Sequence, residues 1–320
     1  MHWKALLSLP LGCALVLAAQ EPLRFESRVF LVSVPVAVID KEGNFVKGLE
    51  AQDFKLYEDG VEQEISLFAR GLDESWVSME PALKEAVSGK QVMGLILDAS
   101  GSMEDRMGLV HSAALKFLDN IPKTEHLVLL DFDENMRISE YSSDDQRQIA
   151  ERIYDVEADG WTALYDAVAT VLERVHFADG RKTLVVLSDG VDSRSTLSMG
   201  EGLDIVRASD VTIHSIQIGG NRNSPLRDFE QGRFLRQISK LTGGSYEVAT
   251  SLEDLDEFYD RILDELFSQY TLAYVSTNAE MDGGYRKIKV EVDRKDVQIR
   301  TREGYTGPLL EPEEEEEDGS

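Results

Sequence analysis

The sequence predicts an α/β fold: a doubly wound, mostly parallel sheet inserted between two β segments that together form a small β-sandwich. Three observations carry this. From Val92 onward, short apolar runs alternate with helical patterns, the grammar of repeated strand–helix units. The runs are continuously hydrophobic, as strands covered on both faces are. On either side, residues 24–69 and 268–306 change to β-branched, aromatic and alternating patterns that suit antiparallel sheets.

Residues 1–19 read as an export signal. Lys4 supplies a positive start, Ala5 to Leu17 is almost entirely apolar, and Ala18-Ala19 offers small residues for cleavage. The run is short for a membrane span, which needs ~20 residues. A lipoprotein signal at Leu11-Gly12-Cys13 is the alternative, with an uncleaved anchor as a third. The expected location is periplasmic or secreted, and no other segment is long and apolar enough to span a bilayer. Cys13 is the sole cysteine, so a chain cut after Ala19 has no disulfide and no thiolate metal site.

Val29 to Val38 is β-branched and aromatic, Lys41-Glu42-Gly43-Asn44 is a turn, and Phe54-Lys55-Leu56-Tyr57 alternates. Asp59-Gly60 marks a hairpin with Glu64–Phe68 as its returning strand. Residues 70–90 lack a period and form a linker. The central domain, 91–267, then runs in order: strand Val92–Leu97, helix 103–120, strand Leu127–Phe132, helices 144–155 and 163–176, strand Lys182–Leu187, helix 198–209, strand Thr212–Ile218, and helices 227–241 and 252–267. Arg137–Tyr141 is a candidate antiparallel edge. Strands follow at Tyr270–Val275, Arg286–Val292 and Val297–Arg300, with Asp282-Gly283-Gly284 a turn between the first two. Short isolated sheets are marginal in water, so the two flanking β regions are expected to pair. Residues 307–320 form an acidic tail expected to be disordered.

A length of 320 residues suits about two domains. The net charge of -27, from 60 acidic against 33 basic residues, argues against a nucleic-acid partner, because binding phosphate backbones relies on excess Lys and Arg. The five His residues show no paired ligand spacing.

Chemistry concentrates at strand ends. Asp98, Ser100 and Ser102 stand at i, i+2 and i+4 after an apolar strand. In extended backbone that spacing points one carboxylate and two hydroxyls to the same side. Hard oxygen donors suit Mg²⁺ or Ca²⁺ rather than zinc or copper. Two further segments compete for the same sheet edge, where open α/β sheets place ligands: Asp159-Gly160-Trp161-Thr162-Ala163-Leu164-Tyr165-Asp166, and the strand ending Leu187-Ser188-Asp189-Gly190.

In order and context, Asp-x-Ser-x-Ser, Gly-x-Thr-Ala-Leu-Tyr-Asp and Ser-Asp-Gly resemble the von Willebrand factor type A (VWFA) domain over roughly residues 90–265. That family carries a metal-ion-dependent adhesion site (MIDAS). The resemblance implies Asp98, Ser100, Ser102, Thr162 and Asp189 as ligands, a Rossmann-like fold, and Mg²⁺ as the ion, with Ca²⁺ or Mn²⁺ as alternatives. The flanks carry Val38-Asp40-Gly43-Val46-Gly48-Leu49, Asp53-Phe54, Glu58-Asp59-Gly60, Tyr270-Thr271-Leu272 and Arg302-Glu303-Gly304-Tyr305. With these, the chain resembles a bacterial exported family of VWFA-related proteins, many from acidobacteria.

Nearby residues have assigned alternatives. Trp161 is either an exposed contact anchor or packs under its loop. Asp131 and Asp133 either orient ligands and waters or are simple strand-end polarity. Asp192 and Ser193 are candidates for orienting the Asp189 loop, while Gly101 and Gly190 serve the backbone. The expected function is a protein-binding or adhesion module whose ion takes an Asp or Glu carboxylate from a partner. A structural subunit of an envelope assembly and a metal-dependent hydrolase are the competing readings. Against the hydrolase, the sequence has no Gly-x-Ser-x-Gly, His-Glu-x-x-His or Gly-x-x-x-x-Gly-Lys motif.

Overall fold

The computed structural model describes residues 31–71, 91–120, 126–178, 180–219 and 229–309. The export signal at 1–19, linker residues 72–90 and tail residues 310–320 lie outside the described residues.

The N-terminal segment supplies β1 (Leu31–Asp40), β2 (Phe54–Glu58), β3 (Val61–Gln63) and β4 (Leu67–Arg70). Asp59 and Gly60 both take positive φ, 48° and 84°, the conformation of a two-residue hairpin turn. Glu58 therefore pairs directly with Val61. This corrects the sequence reading of the hairpin. The returning strand is Val61–Gln63, because so tight a turn leaves no slack. The apolar Leu67-Phe68 stretch instead crosses to the opposite sheet as β4.

The central region runs β5 (Gln91–Asp98), α1 (Met107–Asn120), β6 (His126–Phe132), β7 (Met136–Tyr141), α2 (Gln146–Tyr154), α3 (Leu164–Val175), β8 (Arg181–Ser188), α4 (Met199–Ala208), β9 (Thr212–Ile218), α5 (Arg233–Thr242), β10 (Tyr246–Ala249) and α6 (Leu252–Ser268). Six strands form one sheet in the order β10-β9-β8-β5-β6-β7. Neighbours are parallel except β7, which returns antiparallel along β6. The edge strand β10 has no counterpart in the sequence reading. Its four residues are too few to show a period, and only Ala249 is buried.

Alternation along each strand sends side chains to two cores. Met93, Leu95, Leu97, Val185 and Leu187 face α1, α2 and α6. Val92, Ile96, Leu184 and Val186 face α3, α4 and α5. Burial on both faces explains the unbroken apolar runs. The starts of α4 and α6 carry capping boxes. At α6, Ser251 Oγ accepts from Asp254 N at 3.2 Å, and the Asp254 carboxylate returns to Ser251 N at 3.0 Å.

After α6 come β11 (Tyr270–Val275), β12 (Tyr285–Val292), β13 (Val297–Thr301) and β14 (Gly304–Thr306). They join the N-terminal strands in two four-stranded sheets, β13-β1-β11-β4 and β14-β12-β2-β3. The turn at 282–284 thus connects strands of different sheets. The two sheets share one core around Val34, Val36, Phe54, Leu56, Tyr270, Leu272 and Val290. Pairing continues into the segment read as tail: Gly307 N donates to Gly284 O, and Leu309 bridges Asp282.

The flanking motifs are staples of this sandwich. Tyr270 OH donates to Val46 O at 2.9 Å and accepts from Leu49 N at 3.0 Å. The buried Glu58 carboxylate accepts from Tyr274 OH at 2.6 Å, Tyr305 OH at 2.8 Å and Ser276 Oγ at 2.7 Å. Arg286 stands 3.6 Å away as its counter-charge. Three arginines, of which Arg302 is buried, join the sandwich to the central region. Arg181 donates to Gly71 O at 3.0 Å and Thr271 Oγ1 at 2.7 Å. Arg302 donates to Ser209 O at 2.8 Å, and Arg300 pairs with Glu265 of α6.

Candidate metal centre

The strand order reverses at β5: the chain leaves it toward β6 on one side and later fills β8 and β9 on the other. The loops after β5 and β8 therefore diverge and leave a crevice at the carboxyl edge. Register sets what faces it. Leu97 pairs with Leu187, so Asp98 is carried alongside Ser188, one residue before Asp189.

Asp98 is fully buried. Its Oδ1 accepts from Ser100 N at 3.0 Å and from Ser100 Oγ at 2.6 Å. Its Oδ2 accepts from Ser188 Oγ at 2.5 Å. Ser100 Oγ lies 3.1 Å from Ser102 Oγ. The carboxylate and the two hydroxyls at i, i+2 and i+4 thus form one hydrogen-bonded chain. Burial pushes the Asp98 carboxyl up to about 6, against the hydrogen bonds from Ser100 and Ser188, and the negative charge of Asp189 adds to the rise.

Asp189 is 8% exposed, and its Oδ1 accepts from Val191 N at 3.0 Å. Gly190 follows at φ 84°, where a Cβ would stand 2.5 Å from Gln231 O. Only glycine fits that close, left-handed position. Gly190 N also donates to Ser188 Oγ at 3.0 Å. Ser188 therefore links the Asp98 carboxylate to the loop that carries Asp189. The sequence reading passed over Ser188, although it lies one residue from a named ligand at the end of an apolar strand.

Thr162 is buried, and no hydrogen bond joins its hydroxyl to the other four candidate ligands. Its position is fixed through the backbone. Gly101 N donates to Gly160 O at 3.1 Å, tying the first loop to the second. Thr162 N donates to Ser193 Oγ at 3.1 Å, and Thr162 O accepts from Ser193 N and Arg194 N at 2.9 Å, tying the second loop to the third. The N-terminus of α3 has free amides that need acceptors. Asp192 Oδ2 and Ser195 Oγ take Tyr165 N at 3.1 and 3.0 Å. Asp166 in turn accepts from Thr196 N and Leu197 N at 2.7 and 3.0 Å. Asp192 and Ser193 thus hold the Asp189 loop against α3.

Asp131 and Asp133 are committed elsewhere. Asp131 is buried between Arg137 and Arg152, both of which donate to it. Asp133 accepts from Arg137 at 3.0 Å and from Asn135 N at 2.5 Å, and burial of its carboxyl is outweighed by these donors, which hold it low. No hydrogen bond joins either carboxylate to Asp98, whose partners are Ser100 and Ser188. Trp161 is 64% exposed, held by its backbone N–H on Glu134 Oε2 at 3.0 Å, and so does not pack under its loop.

The donor set fits a hard dication on one structural ground. A buried carboxylate beside a second carboxylate, with hydroxyls and backbone amides as its only donors, lacks the positive partner such groups normally take. Among the described residues no three His, Cys, Asp or Glu side chains gather at metal-binding range. Any ion here would rest on two carboxylates and three neutral hydroxyls. A groove of about 890 Å³ lies on the sandwich between Tyr57, Tyr285, Lys287 and Glu303 and shares no residue with this site.

The von Willebrand factor type A domain model matches residues 93–191, the span that holds all five candidate ligands. A search of curated protein sequences returns no match. Among solved structures the chain is similar to a von Willebrand factor type A protein from Catenulispora acidiphila, at 11% identity over 91% of this chain and 76% of that one, TM-score 0.48. It is similar to the PilB minor pilin from Streptococcus sanguinis, at 13% identity over 56% and 62% of the two chains, TM-score 0.46. It is also similar to the pilus adhesin SpaC from Lactobacillus rhamnosus GG in its open conformation, at 10% identity over 84% and 49%, TM-score 0.45.

Proposed function

We propose that this chain is an exported binding module that holds a divalent cation among Asp98, Ser100, Ser102, Thr162 and Asp189 and takes up a carboxylate of a protein partner there. One observation carries the reading: the fully buried Asp98 carboxylate, beside Asp189 at the switch point of the sheet, has only hydroxyl and amide donors. The match of residues 93–191 to a von Willebrand factor type A domain, a type of protein-interaction module, supports it. When bound, Mg²⁺, Ca²⁺ or Mn²⁺ would supply a hard Lewis-acid contact with an open position for a carboxylate oxygen.

The chain's own residues do the rest. Asp98 and Asp189 supply the charge. Ser100, Ser102 and Thr162 supply oxygen without further charge, which leaves the site short of anions and receptive to one more. Ser188, Ser193 and Asp192 hold the three loops in register. Trp161 stands exposed beside Thr162, where a large apolar contact anchors a partner surface. Export is supported by the short positive start at Lys4, the apolar run from Ala5 to Leu17 and the small residues Ala18-Ala19. Among the described residues no helix is long and apolar enough to cross a membrane.

The test is calorimetric titration of MgCl₂ and MnCl₂ into the EDTA-stripped chain, wild type against Asp98→Ala. It is followed by partner capture from envelope extract with and without EDTA. Saturable uptake by wild type alone, with EDTA-sensitive capture, is the expected result. Capture of one partner that neither EDTA nor Asp98→Ala alters would overturn the mechanism.

A further inference from the structure

Arg106 ends the 3-10 turn Gly101–Arg106 that follows the Asp98 loop. Its Nη1 lies 3.6 Å from Asp189 Oδ2, with the guanidinium side chain 39% exposed. At that distance the contact is an ion pair without a hydrogen bond. Asp189 Oδ1 is taken by Val191 N, and Oδ2 has no other partner among the described residues.

A second observation is independent of the first. Gly219, just past the end of β9, leaves room for the Arg106 head. A Cβ at Gly219 would stand 2.7 Å from Arg106 Cζ, 2.8 Å from Nε and 3.0 Å from Nη2. The guanidinium thus rests in a notch between the ends of β8 and β9 that a side chain would fill. Chain geometry and the missing Cβ both direct one fixed positive charge onto a candidate metal ligand.

We propose that Arg106 is a tethered counter-cation that competes with the divalent ion for Asp189 and so sets the metal concentration at which the site loads. The inference rests on the metal reading above. Its physical basis is charge. A guanidinium stays protonated at every working pH, and a dication beside the same carboxylate repels it. The long, part-exposed stem lets the head move to water when a dication arrives. The contact is loose and part-solvated, so its removal is worth a modest factor, about five-fold in metal affinity.

The test uses the full chain, stripped with EDTA and dialysed, as wild type, Arg106→Gln and Arg106→Lys. Mg²⁺ and Mn²⁺ alone are titrated by calorimetry at pH 7.5. Arg106→Gln is expected to bind Mg²⁺ about five-fold tighter, and Arg106→Lys, which keeps a charge, to fall between it and wild type. Urea unfolding is the second readout. In EDTA, Arg106→Gln should unfold at lower urea than wild type, because Asp189 has lost its counter-charge, and saturating Mg²⁺ should remove the difference. Equal or weaker Mg²⁺ binding by Arg106→Gln, with both proteins taking up metal, would overturn the inference and leave the metal reading standing. No uptake by any of the three would overturn both.

Discussion

His214 gives a sharp test of how the central sheet is built. Its ring sits on β9 at 1% exposure. Nδ1 accepts the Ser245 backbone N–H at 3.2 Å and lies 2.8 Å from Ser245 Oγ. A protonated ring would turn that acceptor into a donor facing an N–H. Burial pulls the imidazole down to about 4, with Glu265 favouring the charged form and Arg300 opposing it. Above pH 6.5 the ring is neutral folded and unfolded, and it adds no pH dependence. As pH falls through 6.5 the unfolded chain takes a proton that the folded chain refuses, and stability drops. The loss is ~2 kcal/mol at pH 5 and saturates near ~3.4 kcal/mol below pH 4. The perturbation is His214→Asn, whose Oδ1 can stand in for Nδ1. Urea unfolding of both proteins from pH 7.5 to 4.5 is the assay, read as the wild-type-minus-variant difference. That difference should shift by ~2 kcal/mol against wild type between pH 7.5 and 5. A flat difference would show that the ring is not held neutral in the folded chain, and the reasoning would fail.

Three other perturbations follow from the geometry. Ser188→Ala removes the donor to Asp98 and the acceptor for Gly190 N, leaving buried groups unpaired. It should cost ~1–3 kcal/mol in urea unfolding and weaken Mg²⁺ uptake by calorimetry. Arg300→Met strands Glu265, whose Oε1 already lacks a partner. It should cost ~3–5 kcal/mol, whereas Glu265→Leu with Arg300→Met should lie within ~1 kcal/mol of wild type. Trp161→Ala should change stability by less than ~0.5 kcal/mol yet lower metal-dependent partner capture, because its side chain belongs to none of the three hydrophobic cores and stands in solvent.

Legibility in the sequence follows how local each cause is. The strands β5, β8 and β9 were readable because burial on both faces writes an unbroken apolar run. The edge β10 was not, because four residues with only one of them buried carry no period. The Asp59-Gly60 turn was plain, but where the chain went next depended on a partner strand about two hundred residues away: Leu67 pairs with Ala273. Of the site, Asp98 and Ser100 were readable because a spacing of two at a strand end points side chains the same way, whereas Ser102 reaches Ser100 from the 3-10 turn Gly101–Arg106 and not from extended backbone. Ser188 was not readable, because its role depends on the register between β5 and β8. Asp131 looked available in sequence. It is bound by Arg137 and Arg152, and only folding brings Arg152, on α2, back to reach it.

On the proposed reading, the same geometry explains why neutral oxygens would suit the site. With a dication in place, Asp98 and Asp189 are matched in charge, and Arg106 is the positive group left over at the rim. An incoming carboxylate would meet a metal contact and a nearby guanidinium, so the chain has reason to keep its other three donors uncharged. Ser102 tests this argument. It is exposed, and its hydroxyl reaches the Asp98 chain only through Ser100 at 3.1 Å. Ser102→Asp would replace a neutral ligand with a third carboxylate and so neutralise the positive charge that the partner's carboxylate needs. Metal affinity should rise by about ten-fold or more, since added anionic ligands tighten hard-cation sites, while metal-dependent partner capture should fall. Tighter metal binding with undiminished capture would mean that the partner does not bind through a carboxylate at this position.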